Sequence, residues 1–236
     1  MATRSRADRI TALPKEVGRR AQTLSATRRL LVEIALEQFT EHGYAATSLD
    51  TIVSKARVTK GALYHHFSGK QALFEAVFEK TEADAANAMR KALKKSKDPW
   101  EKAALGLRAF LDVVQNRSYQ RVVIQDGPAV LGYERFREQE ERSSYSMIND
   151  LVRTVVASSA YELSDDMADT FSRIFFGAMS AAGESVTAAI EPEVTVARVE
   201  AALSFILAGL RSLADSGISL ADPVPAPDDA EPPAAD

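Results

Sequence analysis

Between Lys60 and His65 stand five residues whose side chains suit contact with a nucleic acid: Lys60, Gly61, Ala62, Tyr64 and His65. A lysine ammonium can reach guanine acceptors or a phosphate, and tyrosine and histidine can hydrogen-bond phosphates or base edges. An alanine methyl can meet a thymine methyl, and a glycine lets its backbone approach closely. Spacing decides whether these groups act together. On a helix turning about 100° per residue, Phe67 lies about 40° from Leu63, while Gly61 and His65 lie at about 160° and about 200°. Leu63 and Phe67 are therefore the buried face, and Gly61, Ala62, Tyr64 and His65 are the outward one. Thr59 stands just before this helix and joins the same contact set. Lys70, with the free amides that open the following helix, forms a separate phosphate clamp. Ser48, at the start of the preceding helix, can hold a phosphate on the opposite strand.

Other chemistries find no support. Adjacent helical residues such as His65 and His66 point about 100° apart, so they cannot easily share an ion. Only His42 remains as a third imidazole, and no metal site is expected. The absence of cysteine excludes disulfides, thiolate catalysis and cysteine-based zinc sites together. No Ser-His-Asp order, paired-carboxylate arrangement or Gly-rich phosphate loop is present, so neither an enzyme nor a cofactor is expected.

The elements that must position these residues read as helices throughout, with no β-alternation. A first helix begins near Thr27, carries Leu31, Ile34, Ala35 and Phe39 on one stripe, and stops at Gly43. Thr47-Ser48-Leu49-Asp50 opens a short helix with Leu49, Ile52 and Val53 buried. Arg57-Val58-Thr59 makes a tight turn into the helix Lys60 to Phe67. Two short helices joined by three residues and braced by longer ones form a helix-turn-helix. Ser68-Gly69-Lys70-Gln71 reads as a capping box, Ser68 at the cap and Gln71 three residues on, opening a long helix to about Lys95. Further helices are expected at about Trp100–Asn116, Tyr119–Gln125, Tyr133–Ala157, Ser164–Ala189 and Pro192–Ser216, with a turn at Asp126-Gly127-Pro128.

Charge divides the chain. Residues 1–72 hold 12 of the 29 Lys and Arg but only 6 of the 33 Asp and Glu, a net of +6 against −10 for the remainder. A basic front on an acidic body suggests that only the front meets a polyanion. Four segments follow: a flexible basic arm over 1–24, a helix-turn-helix domain over 25–72, a helical domain over 73–220, and a tail over 221–236. The tail's five prolines and five acidic residues predict disorder. No apolar leader opens the chain, and no apolar run approaches the ~18–20 residues of a membrane span, so a cytoplasmic protein is expected.

The run from Thr59 to Phe74, with Ala35, Phe39, Gly43-Tyr44, Thr47-Ser48 and Ile52 upstream, resembles the helix-turn-helix signature of TetR/AcrR-type regulators. The resemblance covers about residues 25–80. It implies an all-α homodimer: an N-terminal three-helix domain on a palindromic operator, then a helical ligand-binding and dimerisation domain that takes a small inducer. The segment Gln125 to Tyr133 also resembles one in the C-terminal domains of some members. The turn departs from the pattern, with Arg57 where the family usually has glycine. In the C-terminal region Phe110, Tyr133, Phe136, Met147, Phe171 and Phe175 can line a cavity for an apolar or aromatic inducer, or can simply be core. The last two helices carry apolar faces broader than one neighbour needs, which suits a four-helix dimer interface. Activation in place of repression, DNA binding without an inducer, and a helical enzyme or binding protein with an incidental helix-turn-helix are the alternative readings.

Overall fold

The computed structural model describes residues 6–159 and 163–217, and every regular element among them is helical. In chain order these are α1 (Arg6–Ala46), α2 (Leu49–Ala56), α3 (Lys60–His66), α4 (Lys70–Leu93) and α5 (Pro99–Val114). A π-helical segment Tyr119–Asp126 follows, then α6 (Gly127–Leu131) and α7 (Tyr133–Glu140). A second π-helical segment, Glu141–Tyr145, leads to α8 (Ser146–Ala157), α9 (Asp165–Ala188) and α10 (Pro192–Asp215). The acidic tail expected over 221–236 lies outside the described residues.

Two compact units arise. Among the described residues, one takes those up to 81 together with 117–136; the other takes 82–116 and those from 137 onward. The first differs from the contiguous 25–72 domain read from the sequence, because a segment more than thirty-five residues downstream of Thr81 packs against α1. Its core joins Leu31, Ala35 and Phe39 of α1, Ile52 and Val53 of α2, Leu63 of α3 and Leu73, Phe74, Val77 and Phe78 of α4 to Val122. The second unit buries Met89, Trp100, Leu107, Leu111, Val114, Ala168 and Val186.

Three sequence expectations are corrected. Residues 1–24, read as an arm without periodicity, are helical in backbone from Arg6 onward and continuous with α1. Hydrophobic periodicity reports a buried face, and a helix that extends an existing one needs no new nucleus and no such face. Asp126-Gly127-Pro128, read as a turn, instead ends the π-helical segment and begins α6. Pro128 sits in the first helical turn, where the missing amide would have had no partner. The break comes at Gly132 (φ 78°, ψ 161°). Finally, Gln71 does not fold back to close a capping box; its side-chain amide donates to the Val130 carbonyl at 3.0 Å.

The end of the first helical stretch is as expected, with a specific cause. Gly43 (φ 76°, ψ 169°) interrupts α1 in a backbone region essentially restricted to glycine. A Cβ there would stand 1.7 Å from the Arg121 guanidinium, so the position also needs the missing side chain for space. Asp126 accepts a hydrogen bond from the Tyr44 amide at 2.8 Å and an ion-pair contact from Arg121 at 3.3 Å. The bracket formed by Arg121 and Asp126 thus holds the chain as it leaves the helix and heads for α2.

Candidate nucleic-acid interface

The local sequence explains why α2 and α3 stand where they do. Ser48 caps α2, its Oγ accepting from the Thr51 amide at 3.0 Å. Thr59 caps α3 in the same way, accepting from the Ala62 amide at 3.1 Å. Thr47, by contrast, is buried and donates to the carbonyls of Gln38 and Gly43, tying α2 back to α1. Between the helices Arg57 adopts a left-handed conformation (φ 54°, ψ 40°). Its amide donates to Ser54 O and the Val58 amide to Val53 O, both at 3.1 Å, which satisfies the last carbonyls of α2. A side chain in this region costs about 1 kcal/mol that glycine would not pay.

The helical projection of α3 holds in three dimensions. Leu63 is 1% exposed and Phe67 5%. Gly61, Tyr64 and His65 lie on the solvent side, with Tyr64 58% exposed, and Ala62 is half-buried at the edge. A Cβ on Gly61 would touch only Thr59 Oγ1, at 3.8 Å, so the outer surface of α3 is open there. Lys60 reaches across to Asp50 of α2 at 2.6 Å, and this carboxylate raises its pKa. His66 turns partly inward, where burial, then His65 and Arg28, lower its pKa and keep it neutral near pH 7.

Lys70 has a built seat. Its Nζ donates to the Ala45 carbonyl at 3.3 Å and stands 4.3 Å over the Tyr44 ring. Partial desolvation lowers its pKa, against the opposing pull of Asp126. Tyr44 packs on Phe39 and Phe74, so Lys70 rests on the core through an aromatic ring. Neither Tyr44 nor the Arg121–Asp126 bracket was visible as part of this site in the sequence; the resemblance of Gln125 to Tyr133 marked the segment but not its location. Arg28, 5.1 Å over the Phe67 ring, was likewise unmarked.

The six aromatic and sulfur side chains considered for an inducer fall in different places. Tyr133 and Phe136 belong to the unit that carries α3: Tyr133 is 76% exposed, and Phe136 stacks edge-on against Phe78. Phe110, Met147, Phe171 and Phe175 are half-buried in the other unit. There, polar groups missed in the sequence also cluster. Glu82 is buried and accepts from Ser144 at 3.3 Å, and Glu140 has its pKa raised to about 7 by burial, then by Glu82.

The helix-turn-helix geometry is matched by known proteins. The sequence model of bacterial regulatory proteins of the tetR family matches residues 31–77, and that of the tetracyclin repressor-like C-terminal domain matches residues 100–210. This chain belongs to the TetR family. It is a DNA-binding transcriptional regulator and not an enzyme. Among its relatives, the TetC protein of transposon Tn10 from Escherichia coli is 28% identical over 151 residues, 60% of this chain and 69% of that one. The crystal structure of a TetR-family regulator from Pectobacterium atrosepticum is 28% identical, with a TM-score of 0.70 over 80% of this chain and 96% of that one. At 22% identity and a TM-score of 0.59, RolR in complex with resorcinol shares the fold over 82% of this chain and 94% of its own. No described helix is long and apolar enough to cross a membrane.

Proposed function

We propose that this TetR-family chain is a dimeric repressor that grips a palindromic operator with two copies of α3 and releases it when a small apolar or aromatic molecule binds the unit built on α5, α8, α9 and α10. One observation carries the DNA-facing half of this reading. The residues of α3 that can read or approach bases, Gly61, Ala62, Tyr64 and His65, lie opposite the buried Leu63. Lys60 reads a base or phosphate once it exchanges Asp50 for DNA, and Lys70, Ser48 and Thr59 hold phosphates. Two such helices would enter successive major grooves about 34–36 Å apart.

Support for a second copy comes from α9 and α10, where Ile174 and Phe205 are 62% and 81% exposed and Val194, Ile206 and Leu213 of α10 are exposed as well. Apolar side chains gathered in this way favour burial against a symmetric partner. For the inducer, the half-buried Phe110, Met147, Phe171 and Phe175 favour an apolar or aromatic molecule. RolR, a fold neighbour, takes resorcinol, an aromatic of this kind. Such a molecule shifts the equilibrium only by its differential affinity for the two states.

The test begins with the full chain selecting duplexes from a random pool. Tyr64→Ala and His65→Ala weaken binding to the selected duplex. Lys70→Ala lowers affinity across sequences and makes the salt slope shallower by about one per protomer. Unchanged affinity and slope in all three variants would refute the docking. A reporter behind the selected site then separates repression, in which deleting the regulator raises expression, from activation, in which it lowers it.

A further inference from the structure

The turn between α2 and α3 carries a side chain that has no partner in the fold and faces solvent just before α3. Among the described residues Arg57 is the one non-glycine with positive φ. Nothing in the hydrogen bonding of the turn requires an arginine: the contacts to Ser54 and Val53 come from main-chain amides. The side chain is exposed, and no hydrogen bond, ion pair or ring contact holds its guanidinium.

The other cations of this region differ. Six Lys and Arg stand between residues 25 and 72, and five of them have internal partners. Arg28 lies over Phe67, Arg29 donates to the Ser25 carbonyl, and Lys55 pairs with Glu37 at 3.5 Å. Lys60 pairs with Asp50, and Lys70 is seated on Ala45 and Tyr44. Arg57 alone among the six has no internal contact at its guanidinium, and its five N–H donors are kept for something outside the chain. It stands two residues before Thr59, whose hydroxyl opens α3. If α3 enters a major groove N-terminus first, this turn lies at the groove wall, where the DNA backbone runs. A planar guanidinium fork suits two phosphate oxygens at once.

We propose that Arg57 is a phosphate-binding residue of the DNA interface, and that the left-handed strain at this position is retained for that contact. The proposal rests on the reading of α3 as the groove-facing helix. It assigns Arg57 affinity without sequence preference, because backbone phosphates are alike at every site.

Arg57→Gly is the decisive variant, because it relieves the backbone and removes the guanidinium together. The full-length protein, Arg57→Gly and Arg57→Lys are compared on a duplex that the wild type selects from a random pool and on a shuffled duplex of equal composition. Thermal denaturation is followed in parallel. Arg57→Gly melts at or above the wild-type temperature, yet binds both duplexes roughly five- to tenfold more weakly at low salt, with a slope shallower by about one per protomer. Arg57→Lys keeps the charge, the slope and most of the affinity. Wild-type affinity and slope in Arg57→Gly overturn the proposal. So does a loss confined to the selected duplex with the slope unchanged, which would mark a base contact or a turn-geometry effect. A wild type that selects no duplex at all overturns the groove-facing reading first, and this assignment with it.

Discussion

Gly61 and Arg57 show how a single residue can separate what folding needs from what binding needs. Gly61 lies in the first turn of α3, and its absent side chain serves no packing purpose, since the nearest atom to a Cβ would be Thr59 Oγ1 at 3.8 Å. Alanine is the better helix former by roughly 0.5–1 kcal/mol. Gly61→Ala should therefore melt at the wild-type temperature or slightly above it, while affinity for the selected duplex falls. Calorimetry beside a binding titration checks this, and a variant that gains stability and keeps affinity would show that the backbone of α3 does not approach the bases closely. Gly43 is the opposite case. Its φ of 76° and the Arg121 guanidinium beside it mean that any side chain at this position must displace the ion pair of Arg121 with Asp126.

At the scale of elements, the stretch 117–136 matters most. It is distant in sequence from α1 and α2 yet belongs to their compact unit. Asp126 of its π-helical segment caps the Tyr44 amide, and Tyr44 in turn underlies Lys70. Asp126→Ala leaves that amide without its acceptor and should cost about 1–3 kcal/mol in denaturant unfolding. Asp126→Asn keeps a carbonyl acceptor and recovers part of the loss. Equal losses in the two variants would assign the effect to the ion pair with Arg121 and not to the cap. The second π-helical segment, Glu141–Tyr145, follows directly on Glu140. Burial and then the Glu82 carboxylate raise the Glu140 pKa to about 7, with Arg137 opposing and the like charges of Glu184 and Glu141 adding less. The folded state thus binds a proton that the unfolded chain releases near 4.5, so this group's contribution to stability falls as pH rises from about 4.5 through about 7. Glu140→Gln removes that part of the pH dependence and melts higher than wild type at pH 8. An unchanged melting profile across this range would mean that Glu140 is solvated.

For the whole molecule, the question is what covers the apolar surface of α9 and α10. Phe205 is 81% exposed and Ile174 62%, in an acidic unit with little reason to display them to water. Phe205→Glu should convert two associated chains to one in sedimentation, leave the helical signal intact, and reduce operator binding with it. A variant that sediments as the wild type does would place the partner surface elsewhere. The charge division has a consequence at the same scale. The front of the chain carries +6 over residues 1–72 and the remainder −10, a division that favours polyanion contact by the front and disfavours non-specific contact by the rest.

The helical character of the chain, the break at Gly43, the two short helices and the orientation of α3 were legible in sequence, because each depends on residues a few positions apart; the caps were not, since Ser48 and not Thr47 caps α2 and Thr59 caps α3. The buried pair Leu63 and Phe67 fixes the face of α3 by helical spacing alone, and φ 54° at Arg57 follows from a turn too short to avoid it. The run before Thr27 misled for the same reason: periodicity speaks of a packing partner, and the helix from Arg6 extends one that already exists. Only the tertiary structure decided that Asp126 and Arg121 bracket the end of α1, that Lys70 is seated on Tyr44, that Tyr133 and Phe136 belong to the unit that carries α3, and that the buried Glu82 stands near enough to the half-buried Glu140 to raise its pKa. Those relations join residues tens of positions apart, and no local spacing encodes them; they are set by which helices bury their faces against one another.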